Sequence, residues 1–441
     1  MTHLFFRWLG VLRCPQCGGK FDLHRDGKVR ALRCRECGAR YEIAPEMPRL
    51  LLPQRENEIK KFCAQYDALR LQEGWASELP EFYLHLPFRD LSARHPKEWL
   101  LRAESLRWLQ DWLKNNFSKK TLRILDIGAG SGWMSQRLSE LHQVLAIDVN
   151  AGPHGLSALP VEQRQFMAAQ AELENLPLAS NSFDVAIANA SLHYTQHLKQ
   201  VFGEISRVLR PGGKLIVMDS PTYPTLAAVL NAHERTKAYY TQMEVPELAN
   251  NYAGLLETNF LEQPGFRFTR RRRDFTGSSS VKKWLLEKMG KATAARFPIW
   301  VGERLCQPEE NWQPGRQRAG ALIIQHHKLL TYHFKNEKKE YWRIPGGGIE
   351  PNETPEQAAQ RELHEELNLP ITIQRQFGPY FRANKSEWYF LAEADQKKMP
   401  VDYAEAPEDF GKIDWLPLEK LAECDLRPAA LKWELVDYFN S

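Results

Sequence analysis

A glycine-rich turn between an apolar strand and a helix limits how the central part of this chain can fold. In the segment ILDIGAGSGW, Asp126 stands near the end of the strand, and Gly128, Gly130 and Gly132 follow in the turn. Glycines let the chain turn sharply and bring backbone N–H groups against a ligand at the N-terminus of the helix. A dinucleotide fingerprint requires glycine where Trp133 stands, so the spacing is G-x-G-x-G and not G-x-G-x-x-G.

Strand-like and helical segments alternate from Leu122 onward. The strand-like segments are RILDIG, VLAIDV, FDVAIANA and GKLIVMDS, and FGEISRVL is one of the helical segments between them. This alternation predicts a parallel sheet that is covered by helices. We expect residues 221–315 to complete the same domain.

The motifs that run from ILDIGAGSG through VLAIDVN and ENLPLASNSFDVAIANASLHY to ISRVLRPGGKLIVMD resemble one family. They are similar to the class I S-adenosylmethionine (SAM) dependent methyltransferases of the type 11 group, which includes the quinone-biosynthesis C-methyltransferases. The resemblance implies a Rossmann-like, doubly wound sheet and SAM as the methyl donor. SAM carries an activated methyl group on a sulfonium, so such a protein mainly aligns donor and acceptor.

The resemblance also implies which residues bind the cofactor. Asp126 and the backbone from Gly128 to Gly130 would hold the methionine part of SAM. Asp148, at the end of the second strand, would accept hydrogen bonds from both ribose hydroxyls, because a carboxylate is an acceptor-only group that suits a diol.

Two further positions follow from the same resemblance. Glu172 in AELENLPL would contact the adenine amino group, with Gln170 as the alternative in another register. Asn189 and His193, just beyond the fourth strand, lie where the family places groups close to the transferred methyl. His193 has the alternative role of a helix-start or packing residue.

A lead-in segment, residues 54–117, precedes this domain. Residues 96–117 have helical apolar spacing and predict a helix, with apolar positions at Leu100, Leu106, Leu109 and Leu113. Four residues of the lead-in either cap the acceptor pocket or have ordinary core and surface roles: Tyr83, His95, Trp99 and Arg102. The methyl acceptor itself is not revealed, and the absence of an Asn-Pro-Pro-Tyr-like motif disfavours N-methylation of nucleic acid.

Two C-x-x-C pairs near the N-terminus predict a metal site. Cys14 and Cys17 are separated from Cys34 and Cys37 by a spacing that suits four thiolates around a tetrahedral zinc ion. Two disulfides or a redox pair are the alternatives. The segment CPQCGGKFDL…LRCRECGARYEI…MPRLLL resembles the zinc ribbon of tRNA-methyltransferase activator proteins. A site with four cysteines has no open coordination position, which indicates a structural zinc.

The segment GGIEPNETPEQAAQRELHEELNL predicts a capped helix near the C-terminal end. Thr354 can cap the helix, Pro355 suits its first position, and Gln357 completes a capping box. The segment resembles the Nudix box of the Nudix hydrolases, which implies an α/β/α sandwich. The matching positions are Gly347, Glu353, Arg361, Glu362, Leu363, Glu365, Glu366 and Leu369. Asn368 replaces the final glycine of the box, and asparagine tolerates the left-handed conformation that ends a helix.

Three carboxylates fall in one arc of this helix, those of Glu362, Glu365 and Glu366. Crowded carboxylates repel one another unless a cation joins them, and Mg²⁺ or Mn²⁺ binds such oxygen ligands and bridges to phosphate oxygens. The resemblance implies hydrolysis of a nucleoside diphosphate linked to another group, with the three glutamates as ligands and one of them also as base. Glu353 and Arg361 would form a supporting ion pair. A Nudix fold that binds a nucleotide without hydrolysing it is the alternative.

Length and composition fit a folded multidomain protein. At 441 residues the chain exceeds one ordinary core, and 43% apolar with 26% charged residues is the usage of soluble folded proteins. We expect a multidomain α/β protein with a zinc ribbon at 8–53, a helical lead-in at 54–117, a methyltransferase at 118–312 and a Nudix domain at 316–441. The N-terminal apolar run is broken by Arg7 and Arg13, which favours a cytoplasmic protein without a membrane partner.

The leading hypothesis is a bifunctional enzyme that methylates a small molecule and hydrolyses a nucleoside diphosphate derivative. The formal net charge of +4 is small for this length, so any binding of RNA would be local. An RNA-modifying enzyme, with the ribbon and the run Arg270 to Arg273 on phosphates, is the second hypothesis. A third is a methyltransferase that is regulated by a non-catalytic, nucleotide-sensing Nudix domain.

Overall fold

The computed structural model contains two compact units. Residues 1–14, 19–40 and 312–441 form the first unit, and residues 15–18 and 41–311 form the second. The residues that the structure describes are 3–26, 29–44, 46–118, 121–195, 197–252, 254–261, 263, 265–271, 295–305, 317–336, 339–382, 385–394 and 411–439. Arg272 and Arg273 of the arginine run lie outside them.

A seven-stranded sheet forms the centre of the second unit. Its strands are β4 (Arg123–Ile127), β5 (Gln143–Asp148), β6 (Met167–Gln170), β7 (Phe183–Asn189), β8 (Leu209–Met218), β11 (Phe266–Arg271) and β12 (Ile299–Arg304), in the spatial order β11-β12-β8-β7-β4-β5-β6. The five strands from β6 to β8 are parallel, whereas β12 runs antiparallel to both β8 and β11. The predicted doubly wound sheet is therefore confirmed, and strands after residue 221 complete it, as expected.

The chain leaves β4 in one direction and returns on its other side. From β4 it passes to β5 and β6 on one side, then crosses to β7 and β8 on the other side of β4. The carboxyl ends of β4 and β7 therefore border a crevice, which is where doubly wound sheets bind ligands. Helices and short strands of this unit include α5 (Trp133–Leu138), α6 (Leu198–Val208), α7 (Leu226–Gln242), α8 (Thr258–Leu261), β9 (Thr222–Tyr223) and β10 (Leu255–Leu256).

Three helices precede the sheet: α2 (Pro53–Glu73), α3 (Pro80–His85) and α4 (Pro96–Asn116). The helix predicted at 96–117 is thus confirmed. Its buried side includes Trp99, Leu106, Leu109 and Leu113. Leu100, which the spacing placed on the apolar side, is 57% exposed, because it lies about 100° around the helix from Trp99. Trp99 takes its place in the core.

The first unit is built on two sheets of the C-terminal region. One sheet has the order β17-β13-β19-β18 and contains β13 (Arg318–Leu322), β17 (Gly346–Gly348), β18 (Ile371–Arg382) and β19 (Lys385–Ala394). The other has the order β14-β15-β16-β21, with β20 also paired to β15, and contains β14 (Ile324–Gln325), β15 (Lys328–Asn336), β16 (Lys339–Arg343), β20 (Lys412–Pro417) and β21 (Leu426–Arg427). Helix α9 (Pro355–Leu367) packs against β13 and β17, and α10 (Ala429–Phe439) packs against β18.

The N-terminal helix α1 (His3–Leu9) belongs to the same unit and packs against β18 and α10. Phe5, Phe6, Trp8 and Leu9 are all buried, so its apolar side completes the core there. After α1 the chain forms a hairpin of β1 (Phe21–Asp26) and β2 (Val29–Cys34), followed by β3 (Arg40–Glu42).

Candidate functional site

The glycine turn after β4 requires glycine for two reasons. Gly128, Gly130 and Gly132 have φ values of +65°, +53° and +74°, in the left-handed region that side chains disfavour. A Cβ atom on Gly128 would also lie 2.4 Å from the Cβ atom of Ser191. The turn therefore keeps its backbone close to the neighbouring segment after β7.

Asp148, the last residue of β5, is tied to this turn. Its Oδ2 accepts a hydrogen bond from the backbone N–H of Gly130 over 2.8 Å, and its Oδ1 accepts one from the backbone N–H of Asn150 over 2.7 Å. Burial raises the pKa of Asp148. Backbone hydrogen bonds from Asn150, Gly130 and Val149 favour the ionised carboxylate and oppose the effect of burial.

Asp126 is almost fully buried at the end of β4. Its Oδ2 accepts a hydrogen bond from the hydroxyl of Ser135 over 2.7 Å. Burial raises the pKa of Asp126 to about 7, and the charge of Asp148 adds to the effect. A cationic ligand group beside it would favour the ionised carboxylate.

A cavity of about 430 Å³ opens at the carboxyl ends of the strands, and we call it the strand-end cavity. Of the predicted cofactor-binding residues, five line it: Asp126, Gly128, Gly130, Asp148 and Asn189. Glu172 is not part of this lining, because its carboxylate accepts a hydrogen bond from Nε of Arg55 at 2.9 Å. The amide of Gln170, the alternative, donates to the carbonyl oxygen of Val149 over 2.8 Å.

Polar atoms beside the strand-end cavity that are buried without a hydrogen-bond partner among the described residues include Oδ1 of Asn189 and Nδ1 of His193, as well as Nε1 of Trp99. All three residues line the cavity. Burial, followed by the charges of Arg70 and Arg102, lowers the pKa of His193 to about 3, so its imidazole is neutral. A buried polar atom without a partner is costly, which indicates that a ligand completes these contacts.

The lead-in helices supply the opposite side of the cavity. Tyr83, Trp99 and Arg102 line it, as one of the two readings of the sequence proposed. His95 instead stacks on Trp75 with ring centroids 3.7 Å apart. Sequence reasoning missed Tyr66, Asp67, Arg70 and Trp75 on this side, because no motif surrounds them. It also missed Tyr194 and Asp219 elsewhere in the lining, although both end motifs of the methyltransferase resemblance.

The four cysteines of the two C-x-x-C pairs come together. The sulfur atoms of Cys14, Cys17, Cys34 and Cys37 all lie within 4.8 Å of one another, and none of the four forms a disulfide. The hairpin turns that carry them bring backbone amides inward, with the N–H of Cys14 bonded to the carbonyl of Gly19 at 2.9 Å. Four clustered thiols are a donor set that suits a tetrahedral zinc ion.

The predicted capped helix is confirmed as α9. Thr354 and Gln357 form the capping box, Pro355 opens the first turn, and Asn368 ends the helix in the left-handed conformation at φ +48°. Ala359 and Leu363 are fully buried against the sheet. The helix that carries the glutamates is therefore anchored to the sheet.

Arg361 organises the acidic side of α9. Its Nε and Nη2 atoms donate to the two oxygens of Glu353 at 2.9 and 3.1 Å, and its Nη1 donates to Glu362 at 3.0 Å and Glu365 at 2.9 Å. The expected ion pair between Glu353 and Arg361 is present. Hydrogen bonds to Glu353 hold the pKa of Arg361 above its usual value.

Glu366 has different partners. Its Oε2 accepts hydrogen bonds from the hydroxyl of Tyr332 and the N–H of Gly346, both at 3.1 Å, while burial raises its pKa. Beside it, a Cβ atom on Gly347 would lie 2.1 Å from Oε2 of Glu362. Carboxylate oxygens are ligands that suit a hard divalent cation, but among the described residues the four cysteines are the one group whose ligand atoms lie close enough together to hold an ion.

Outside these sites, Arg270 of the arginine run is paired with Glu257 at 3.0 Å. The same carboxylate is also paired with Arg296 at 3.2 Å. Within the described parts of the chain, no helix is both long and apolar enough to cross a membrane.

Comparison with known proteins gives two domain matches. A family model described as a methyltransferase domain matches residues 125–217, and one described as a NUDIX domain matches residues 314–436. Among curated relatives, the ubiquinone/menaquinone biosynthesis C-methyltransferase of Syntrophotalea carbinolica is 30% identical over 175 residues, which are 35% of this chain and 72% of that protein.

Other relatives match a shorter segment. The malonyl-acyl-carrier-protein O-methyltransferase of Hahella chejuensis is 33% identical over 96 residues, which are 21% of this chain and 34% of that protein. The chain thus spans about a third of the length of this relative. Among solved structures, the YcgJ protein of Bacillus subtilis aligns with 46% of this chain and 100% of its own, at 14% identity and a TM-score of 0.32.

Proposed function

Because this chain belongs to the class I SAM-dependent methyltransferases and carries a Nudix domain, we propose that it is a bifunctional enzyme. One half transfers a methyl group from SAM to a small-molecule acceptor. The other half hydrolyses a nucleoside diphosphate derivative with Mg²⁺ or Mn²⁺. The observation that supports the first half best is the strand-end cavity, where the glycine turn, Asp148 and the unpartnered oxygen of Asn189 meet.

We assign the cofactor to the strand-end cavity. Asp148 would accept the ribose hydroxyls, and Asp126 would face the amino group of the methionine part, because both carboxylates line the cavity and accept hydrogen bonds. SAM supplies a methyl group on a positively charged sulfur, which a nucleophile can take without a metal. The chain's own task is to orient the acceptor and exclude water. Trp75, Trp99 and Tyr83 serve the second task on the helical side.

Binding of S-adenosylhomocysteine (SAH) tests this assignment. Calorimetric titration of the full chain should give a micromolar dissociation constant for SAH and no binding of NADH, since the turn lacks the dinucleotide spacing. Asn189→Ala should weaken SAH binding while the thermal transition stays within a few degrees. Wild-type protein that binds NADH but not SAH would refute the proposed methyl transfer.

We assign the hydrolase activity to the acidic side of α9. Glu362, Glu365 and Glu366 would hold the divalent cation, which neutralises charge on the phosphates. Arg361 and Glu353 hold the arrangement in place through their paired hydrogen bonds. One of the glutamates would also take a proton from the attacking water, a role that the geometry leaves open among the three.

Release of phosphate or a nucleoside monophosphate from a panel of nucleoside diphosphate derivatives tests the hydrolase. Glu365→Gln and Glu366→Gln should abolish Mg²⁺-dependent turnover, whereas Glu393→Gln, the same change on an exposed strand residue, should not. Absence of turnover across the panel, combined with tight nucleotide binding, would instead identify a sensor domain.

The cysteine cluster is proposed as a structural zinc site, supported by its four sulfur atoms within 4.8 Å. Purified protein should contain one zinc ion per chain by elemental analysis, and Cys34→Ser should remove it. A methyltransferase that keeps full activity without zinc is compatible with this structural role. Reduced thiolates of this kind support our placement of the protein in the cytoplasm.

A further inference from the structure

The strand-end cavity has one side that none of the cofactor assignments uses. It is formed by Arg70 on α2, Trp75 just after α2, and Trp99 and Arg102 on α4, and we call these four residues the helical wall. The strand ends opposite carry the carboxylates of Asp126 and Asp148. The cavity thus has carboxylates at the strand ends and two guanidinium groups at the helical wall, although the carboxylate of Asp67 on α2 also lines it.

The guanidinium of Arg102 lies beside two indole rings that are inclined to each other by 60°. Its guanidinium carbon lies 4.8 Å from the ring centroid of Trp75 and 4.5 Å from that of Trp99. Within the described residues this guanidinium has no hydrogen-bond acceptor and no ion-pair partner closer than 4.0 Å, and the residue lines the cavity. An arginine carries five N–H donors, and leaving them without acceptors in a sheltered site is costly.

Arg70 adds a second positive charge to the wall, but in a fixed position. It donates to Glu73 at 2.6 Å and to the hydroxyl of Tyr194 at 3.0 Å, and it lies 4.7 Å from the ring centroid of Tyr66. Arg70 and Tyr194 also border a neighbouring cavity of about 370 Å³ that is rich in tyrosine. The space next to the wall can therefore accept a ligand that extends beyond its charged group.

The neutral state of His193 is consistent with a basic wall. After burial, the charges of Arg70 and Arg102 are the causes that lower its pKa. Burial lowers the pKa of Arg102, and the charge of Asp219 is the next largest influence on that pKa. Asp219 also lines the cavity and accepts a hydrogen bond from Ser105 at 2.9 Å. Arg70 is already paired with the carboxylate of Glu73, so Arg102 is the arginine of the wall to which an anionic ligand group would add a direct partner.

We propose that the methyl acceptor carries an anionic group, a carboxylate or a phosphate, which the guanidinium of Arg102 binds with support from Arg70. A planar guanidinium fixed on two indoles suits either anion, because both accept paired hydrogen bonds from it. This proposal rests on the proposed methyl transfer and names the class of acceptor for it. The carboxylate of SAM is the competing occupant of Arg102.

The test uses the full chain with EDTA and saturating SAH, so that the cofactor site is filled and no divalent metal is present. Benzoate and phenyl phosphate are the probes for the two anions, and benzamide and phenol are their neutral counterparts, all measured by calorimetric titration. Wild-type protein should bind at least one anion and neither neutral compound. The anion that binds more tightly then shows whether the acceptor carries a carboxylate or a phosphate.

Arg102→Gln is the decisive variant, since the glutamine stem can still pack on the indoles. Anion binding should weaken about tenfold to a hundredfold, because the variant loses a charge-assisted hydrogen-bonded pair. The affinity for SAH should stay within about twofold of that of the wild-type protein. Arg102→Lys should recover part of the affinity. Arg107→Gln, on the exposed side of the same helix, should change neither.

Two results would overturn the proposal. In the first, wild-type protein binds the neutral compounds as well as the anions. In the second, Arg102→Gln weakens SAH binding and leaves anion binding unchanged, which would assign Arg102 to the cofactor. SAH binding is measured before any anion is added. Wild-type protein that does not bind SAH would refute the proposed methyl transfer itself.

Discussion

The backbone N–H of Gly130 donates a hydrogen bond to Oδ2 of Asp148 over 2.8 Å, so the turn after β4 is joined directly to the end of β5. Both residues line the strand-end cavity. Changes to either residue should therefore affect both ligand binding and local order.

Asp148→Asn should weaken SAH binding about tenfold to a hundredfold, because an amide offers one acceptor oxygen where the carboxylate offers two. Calorimetric titration measures the effect. Asp111→Asn, the same change at an exposed position of α4, should leave the affinity unaltered. If the Asp148 variant binds SAH as tightly as the wild-type protein, Asp148 does not bind the ribose.

SAH affinity should rise with pH around neutrality. Asp126 has a pKa of about 7 through burial, and only its ionised form attracts the cationic amino group of the ligand. Titrations between about pH 6 and about pH 8 should show this rise, and Asp126→Asn should flatten it. A profile that stays steep in the variant would point to another group.

The same raised pKa should affect the ligand-free protein in the opposite direction. The unfolded carboxyl ionises near 3.8, and the folded one near 7, so between these values the folded state holds more protons. The contribution of Asp126 to the free energy of unfolding therefore falls as pH rises from about 4 to about 7. Comparing Tm across this range in wild type and Asp126→Asn isolates the contribution.

Gly128→Ala should destabilise the second unit by about 2 kcal/mol or more, since a left-handed alanine costs about 1–2 kcal/mol and its Cβ would crowd Ser191. Chemical denaturation reports the change. Gly203→Ala is the matched control, because nothing lies within 4 Å of its added Cβ and it sits in α6, where alanine is favoured. The double variant with Ser191→Gly should recover part of the loss.

Trp8→Ala should destabilise the first unit by about 3–5 kcal/mol, the usual effect of emptying a large aromatic site. Trp8 is fully buried and lies edge-on to Phe381 with ring centroids 4.7 Å apart. Reduced amide protection in β18, measured by hydrogen exchange, should accompany the loss. Phe439→Ala, at a half-exposed aromatic of the same unit, should have a small effect, and a similar effect for both would argue against a core role for α1.

Local sequence signals predicted the two catalytic domains and their central elements. Strand alternation gave β4, β5, β7 and β8, and the capping residues gave α9, since both depend on neighbours within a few residues. The domain matches confirm both resemblances. The prediction failed at Leu100, where one large side chain shifted the buried arc of α4 toward Trp99.

Contacts between distant segments were beyond local reasoning. Arg70 and Trp75 reach the cavity only because α2 folds over the strand ends, and no motif at these positions predicts that. Glu172 stands at the position that the resemblance indicates, yet its partner is Arg55, more than a hundred residues earlier in the chain. The packing of α1 on β18 joins residues that are even further apart in sequence.

That packing also has a consequence for synthesis on the ribosome. Helix α1 is translated before its partners in the core, β18 and α10, which follow only after the whole methyltransferase segment. The apolar residues of α1 therefore lack their native contacts while the roughly 360 residues between Leu9 and Ile371 are made. During that time an apolar helix can aggregate or bind chaperones. Nascent chains halted before β18 should be recovered with chaperones more often than completed ones.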